Sequence, residues 1–257
     1  MGRGEYMDRR AILCGMAALT LAGCGDDGLG RLASIGHGRV IEVRSGDVLV
    51  LDDGAVVRLA GIEAPYGSAP GAQEARTALD GLALGKSVEL LSGGGLTDPS
   101  GRKTAHLRRT EGRLWLQGAM LDAGMAQVRT FADNRALAAD LLEREAKARA
   151  ARRGLWADGR LKVWLPQEVS PAQRGFAVVE GRVGRVRRIG QGFDLDLLEA
   201  GRVVSGEVPA AAVDAFNRAG RSPPELAGKL IRIRGLLRPG GQIWLDHPEA
   251  VEVVPAR

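Results

Sequence analysis

The stretch Arg58-Leu59-Ala60-Gly61-Ile62-Glu63-Ala64-Pro65-Tyr66 opens on an arginine, continues as an apolar strand and carries a carboxylate where the chain turns away before Pro65. Proline has a fixed φ and no N–H to give a ladder, so the strand ends there. The next side chain, Tyr66, is a phenol with a reference pKa of about 10, which keeps its proton at neutral pH and makes a poor general base. Working outward, Arg39–Arg44, Val48–Leu51 and Ala55–Gly61 read as three strands. The last two are joined by Asp52-Asp53-Gly54, a tight-turn signal. Ala72, Ala75, Arg76, Leu79, Leu82 and Ala83 recur at helical spacing up to Gly85. Lys86–Leu91 is a fourth strand, Thr97–Gly101 a polar loop, and Thr104–Arg109 is expected to pair with Leu114–Leu116. Helical patterns follow at Gln117–Ala123 and Asn134–Arg153. The second has Leu137, Leu141, Leu142 and Ala148 on one side, with its charges read as a solvated face.

Residues 160–175, with Pro166 and Pro171, read as a linker, after which the pattern restarts. Ala177–Ile189, Phe193–Leu198 and Val203–Val208 alternate like strands, Pro209–Ala219 reads as a helix, and Lys229–Leu236, Gln242–Leu245 and Ala250–Val254 close the set. Three strands, a helix, then two or more strands is the order of an OB-type barrel. The expected fold class is mainly β with helices (α+β): an OB-fold, five-stranded Greek-key barrel at 37–159, followed by a smaller OB-like domain at 176–257.

The chain has 257 residues, 45% hydrophobic and 26% charged, enough for one large or two small domains. A net charge of +5 suits a polyanionic partner such as nucleic acid, and equally a merely solvated basic surface. Aromatics make up 4%, which argues against a single-strand stacking mode built on exposed rings. At the N-terminus, Met7-Asp8-Arg9-Arg10, the apolar run Ala11–Ala22 and Leu21-Ala22-Gly23-Cys24 form a secretion-signal pattern too short for a stable membrane span. The last four residues resemble a bacterial lipobox. Residues 1–23 are therefore expected to be a lipoprotein signal peptide, Cys24 the lipidated residue and 24–36 a tether, with no transmembrane helix in the mature protein. The protein would be exported and anchored in the bacterial cell envelope, facing the periplasm. Cys14 and Cys24 both lie in this segment, so no internal disulfide or Cys-based metal site is expected. His37, His106 and His247 are too scattered to suggest a zinc centre.

Arg39–Gly159 resembles the thermonuclease (staphylococcal-nuclease-like) family. The matching pieces, in order, are Gly46-Asp47, Val57–Pro65, Glu74-Ala75, Thr97-Asp98 with Gly101-Arg102, Gln117-Gly118 to Gly124-Met125-Ala126, and Leu142–Trp156. The C-terminal part is similar to an extra OB-like domain found in some bacterial members. The resemblance implies one Ca2+ ion held by two carboxylates and a carbonyl, a glutamate that activates water, and two arginines that grip the phosphate. A hard cation wants oxygens at about 2.3–2.6 Å, and guanidiniums suit the negative charge of a five-coordinate phosphate. By position, Asp47 and Glu63 would be the metal carboxylates and Ala64 would give the carbonyl. Arg58 and Arg102 would grip phosphate, and Tyr66 falls where the glutamate base belongs.

Three departures follow. Ser45-Gly46-Asp47-Val48 replaces Asp-Gly-Asp-Thr. Glu63 stands where Asp is usual, moving the carboxylate by about 1.5 Å. Tyr66 for Glu should cost about 10²–10⁴ in rate if water activation was the role lost, with Glu63 a candidate substitute base. The plainer readings also stand: Asp47 as a turn former, Arg58 as the partner of Glu63 or Asp47 in a sheet-edge ion pair, Arg102 as a loop residue, and Glu74 as a capping or salt contact. Three functions compete: a lipid-anchored phosphodiester- or nucleic-acid-binding protein with weak or lost hydrolysis, an active calcium-dependent nuclease with rearranged carboxylates, and a protein- or glycan-binding envelope module.

Overall fold

The structure, a computed structural model, describes residues 28–255. The expected signal peptide, Cys24 and the start of the expected tether lie outside these residues. Strands β1 (Ser34–Ser45), β2 (Val48–Leu51), β3 (Val56–Leu59), β5 (Ser87–Leu91) and β6 (Lys103–Arg109) close a barrel in the order β1-β2-β3-β6-β5. The β2–β3 turn is the expected Asp-Asp-Gly one, with Gly54 at φ +80° and its N–H donating to Leu51 at 2.9 Å. Between β3 and β5 come the short β4 (Ile62–Glu63) and α1 (Ala72–Ala83), whose Ala75, Leu79 and Ala83, spaced by one helical turn, are fully buried. Helices α2 (Leu116–Asp122) and α3 (Ala138–Ala150) flank the barrel, and β7 (Gln127–Val128) pairs with β4.

Three expectations at the edges of this barrel are corrected. Residues 28–36, assigned to a tether, include Leu29, fully buried in the first core, and Ser34–Gly36, which extend β1 and pair with Leu90 and Leu91. The glycines there suggested loop, but the alternate small and apolar residues supply a ladder. The long helix starts at Ala138 rather than Asn134, because Phe131–Asn134 forms a turn and Leu137 has φ +61°. Leu114–Leu116 is not a strand either: only Trp115 bridges Arg108, and Leu116 already begins α2.

The second half repeats the topology. β9 (Gly175–Ile189), β10 (Gly192–Glu199), β11 (Arg202–Val208), α4 (Ala210–Arg218), β12 (Leu230–Arg238), β13 (Gln242–Trp244) and β14 (Val251–Val253) follow in order. β11 and β13 are parallel neighbours, as β3 and β6 are, and β12 pairs back to β9 as β5 pairs to β1. The ring is thus β9-β10-β11-β13-β12, with α4 in the connection from β11 to β12. The stretch expected as a plain linker contains β8 (Val163–Trp164), which joins this sheet parallel to β9. Each half has its own apolar cluster, one reaching Leu161 and the other beginning at Val169.

Period-2 alternation on β12 joins the two halves. Ile231, Ile233 and Leu237 enter the second core. Arg234, on the opposite face and 3% exposed, donates from Nη1 to Glu145 Oε2 on α3 at 3.0 Å and to the Val128 carbonyl at 3.0 Å. The Val128 N–H donates to the same Glu145 oxygen at 2.5 Å. Glu145, read as part of a solvated face, is therefore a buried ion-pair partner. Beside this clamp, Thr130 Oγ1 lies 2.7 Å from His247 Nε2, and His247 Nδ1 lies 2.6 Å from Asp246 Oδ1.

Candidate phosphate-binding cavity

Arg58 lies on β3 with its side chain 5% exposed. The turn beyond it depends on Gly61, at φ +76°, where a Cβ would stand 2.5 Å from Leu141. That left-handed residue swings β4 off the barrel, so Glu63 returns over Arg58, whose Nη2 donates to Glu63 Oε2 at 2.5 Å and to the Ile62 carbonyl at 3.2 Å. Gly46 allows a second close approach, since a Cβ there would meet those of Ala64 and Ala75 at 2.7 Å. Asp47 is thereby drawn under the same turn, its Oδ2 3.7 Å from Arg58 Nε and its Oδ1 accepting from Ser45 Oγ at 2.7 Å. Burial pushes the Asp47 carboxyl up from its ordinary value. Arg58 opposes that shift, and the nearby Glu63 adds to it.

Strand β7 brings in a residue the sequence reading did not single out. Ile62 pairs with Val128, and the Arg129 N–H donates to the Gly61 carbonyl at 2.9 Å. Arg129 Nη1 donates to Glu63 Oε2 at 2.8 Å, so one carboxylate oxygen serves two guanidiniums. The signal available was slight: Arg129 lies just past the Gly124-Met125-Ala126 segment, in a short run with no other charge.

Arg102 comes from the loop before β6. Asp98 accepts from the Ser100 and Arg102 N–H groups and takes Arg102 Nε at 2.7 Å. Burial would raise the Asp98 carboxyl, but Arg102 and these backbone N–H groups outweigh it and hold it below the usual range. Arg102 is thus aimed by its carboxylate, with N–H groups that Asp98 does not use.

These residues face one cavity of about 660 Å³. Arg44, Arg58, Arg102 and Arg129 line it against Asp47, Glu63 and Asp98, together with Tyr66, Phe131 and Leu236. Both arginines expected to grip phosphate are therefore on the same cavity, and both are ion-paired within it. Tyr66, 65% exposed, stands at its mouth. Glu74 lies apart on α1, ion-paired with Arg160.

The expected calcium ligands do not suit that ion in this arrangement. Glu63 is engaged by two arginines, Asp47 is engaged by Ser45 and faces Arg58, and two guanidiniums already balance the two carboxylates. Calcium needs about six to eight oxygens, and a nearby guanidinium repels it. Among the described residues no group of three or more His, Cys, Asp or Glu is placed to hold a metal.

The aromatic rings, few in the composition, gather at this site. Of four Phe, four Trp and two Tyr, Tyr66, Phe131, Trp164, Phe176 and Trp244 line this cavity or ones that adjoin it. Composition counts rings, but chain topology decides where they meet.

Residues 56–158 match the family model described as Staphylococcal nuclease homologue. The chain therefore contains a staphylococcal-nuclease-like domain, and the match covers Arg58, Glu63, Tyr66, Arg102 and Arg129. No curated protein matches the chain.

Proposed function

We propose that this protein binds nucleic acid through its phosphodiester backbone and hydrolyses it weakly or not at all. The observation that carries the reading is Glu63 held between Arg58 and Arg129 in a cavity that Arg102 also lines. Guanidiniums in a partly desolvated cavity make charge-assisted hydrogen bonds to phosphate oxygens. The four arginines lining the cavity outnumber its three carboxylates. What hydrolysis would need in addition is a base on the attacking water. Glu63 already holds two arginines on one carboxylate oxygen, and Tyr66 offers a phenol. In this reading the protein sits at the cell envelope, held by lipid on Cys24, so that its basic cavity meets nucleic acid outside the cytoplasm. The lipobox-like Leu21-Ala22-Gly23-Cys24 supports that placement.

The test is to incubate the purified chain with labelled single-stranded DNA, with calcium and with chelator, beside Tyr66→Glu. Salt-sensitive binding without cutting by the parent is expected. Calcium-dependent cutting by the parent would replace this reading with that of an active nuclease. Absence of any salt-sensitive binding would leave a protein- or glycan-binding module, because phosphate contacts release counterions.

A further inference from the structure

Next to the arginine cavity, on the seam between the barrels, lies a smaller one of about 180 Å³ that shares Arg129, Phe131 and Leu236 with it. Its other walls include Phe176 from β9 and Trp244 and Arg238 from the second barrel. Resting on the phosphate-binding reading above, we propose that this seam cavity seats an unpaired base of single-stranded nucleic acid whose phosphate lies among the arginines of the first barrel.

Three observations support a base as the occupant. The rings carry guanidiniums on their faces: Arg58 and Arg129 lie 5.5 and 5.0 Å from the Phe131 centroid, Arg129 5.7 Å from Phe176, and Arg238 5.0 Å from Trp244. Flat apolar surface bordered by positive charge is what a nucleotide presents in complement, with its π-face beside its phosphate. The side is open: Trp244 and Leu236 are 37% and 49% exposed, and Phe176 stands opposite Leu236 in the β9–β12 register. Barrel-to-barrel adhesion does not account for such exposure, since the Arg234–Glu145 clamp and its Val128 contacts already hold the halves on the buried side. Lastly, Asp246 lies at the cavity wall, tied on one oxygen to His247, which adds an acceptor to a recess lined by arginines and by Phe131, Phe176 and Trp244. Half-buried rings in a recess exclude a paired base, because a duplex keeps its base faces stacked and inaccessible.

This role differs from phosphate gripping in what it senses. Arginine contacts respond to charge alone, whereas the seam responds to the presence of a base. The measurement is the equilibrium dissociation constant of the purified chain for a short mixed-sequence DNA single strand, an abasic strand with the same number of phosphates, and the matching duplex. Parent, Trp244→Ala, Arg238→Gln and Arg102→Gln would be compared.

The parent is expected to bind the base-bearing strand roughly tenfold or more tighter than the abasic strand. Trp244→Ala should remove most of that ratio while leaving abasic binding unchanged, and Arg102→Gln should weaken both strands alike. Equal binding of base-bearing and abasic strands by the parent would overturn the base seat while leaving phosphate binding standing. So would a ratio untouched by both Trp244→Ala and Arg238→Gln. If neither strand binds, the phosphate reading fails and the base seat fails with it. Should Trp244→Ala not fold, the parent ratio and Arg238→Gln decide.

Discussion

Glu63 on β4 and Arg129 just past β7 are far apart in sequence, yet their side chains meet at 2.8 Å on the oxygen that Arg58 also binds. The carboxylate that a hydrolase would offer to metal or water thus serves as an internal counter-ion. An internal anion occupies guanidinium donors that a phosphate would otherwise use. Glu63→Gln is therefore expected to tighten single-stranded DNA binding several-fold and to steepen its salt dependence. It should also lower stability by about 1–3 kcal/mol, since Arg58 loses a charged partner while mostly buried. Fluorescence anisotropy across salt concentrations and urea unfolding check the two effects.

Asp47 and Glu145 are expected to give opposite pH signatures. Asp47 is raised by burial, so the folded protein holds that proton to higher pH than the unfolded chain does. Its contribution is fully present below the ordinary carboxylate range and is lost as pH rises through the raised value. Asp47→Asn should then gain stability relative to the parent over that window. For Glu145, burial would raise the carboxyl, but Arg234, Arg149 and the Val128 N–H outweigh it and hold it low. Its contribution is present above the unfolded value and lost as pH falls through the depressed one. Denaturant unfolding from acid to neutral pH, parent against Asp47→Asn and Glu145→Gln, resolves both slopes.

The inter-barrel clamp should show strong coupling. Arg234→Leu removes one of the two guanidiniums on Glu145, which is 1% exposed and keeps Arg149 and the Val128 N–H, and is expected to cost about 3–5 kcal/mol. Removing both charges with Arg234→Leu and Glu145→Leu should cost much less than the sum of the single changes, because the two most deeply buried charges leave together and their other partners, Arg149 and Glu252, lie nearer solvent. A double-mutant cycle by chemical denaturation measures this. Additive single and double values would mean that the pair is not a closed unit.

Much of the fold was legible from local pattern. The Asp-Asp-Gly turn, the helical run to Gly85 and the second strand–helix–strand order each depend on neighbours in sequence, and each reappears as an element. Long-range pairing was harder to read. Ser34–Gly36 looked like tether because glycine seldom marks a strand, and only β5 makes it one. Arg102, Arg58 and Glu63 could be singled out because their motifs are local. Arg129 could not, since its role appears only when β7 is laid against β4. Likewise Glu145 looked solvated until β12 supplied Arg234, and the few aromatics looked insufficient until two barrels brought them to one seam.

The salt dependence of single-stranded DNA binding tests the central claim most directly. The slope of log K against log salt should be clearly negative for the parent. Arg102→Gln should weaken binding at every salt concentration and reduce the slope by about one, as expected when one phosphate contact is lost. A parent whose binding ignores salt, or an Arg102→Gln variant with the parent's affinity and slope, would contradict the account: the arginine cavity would then not be where the backbone lies.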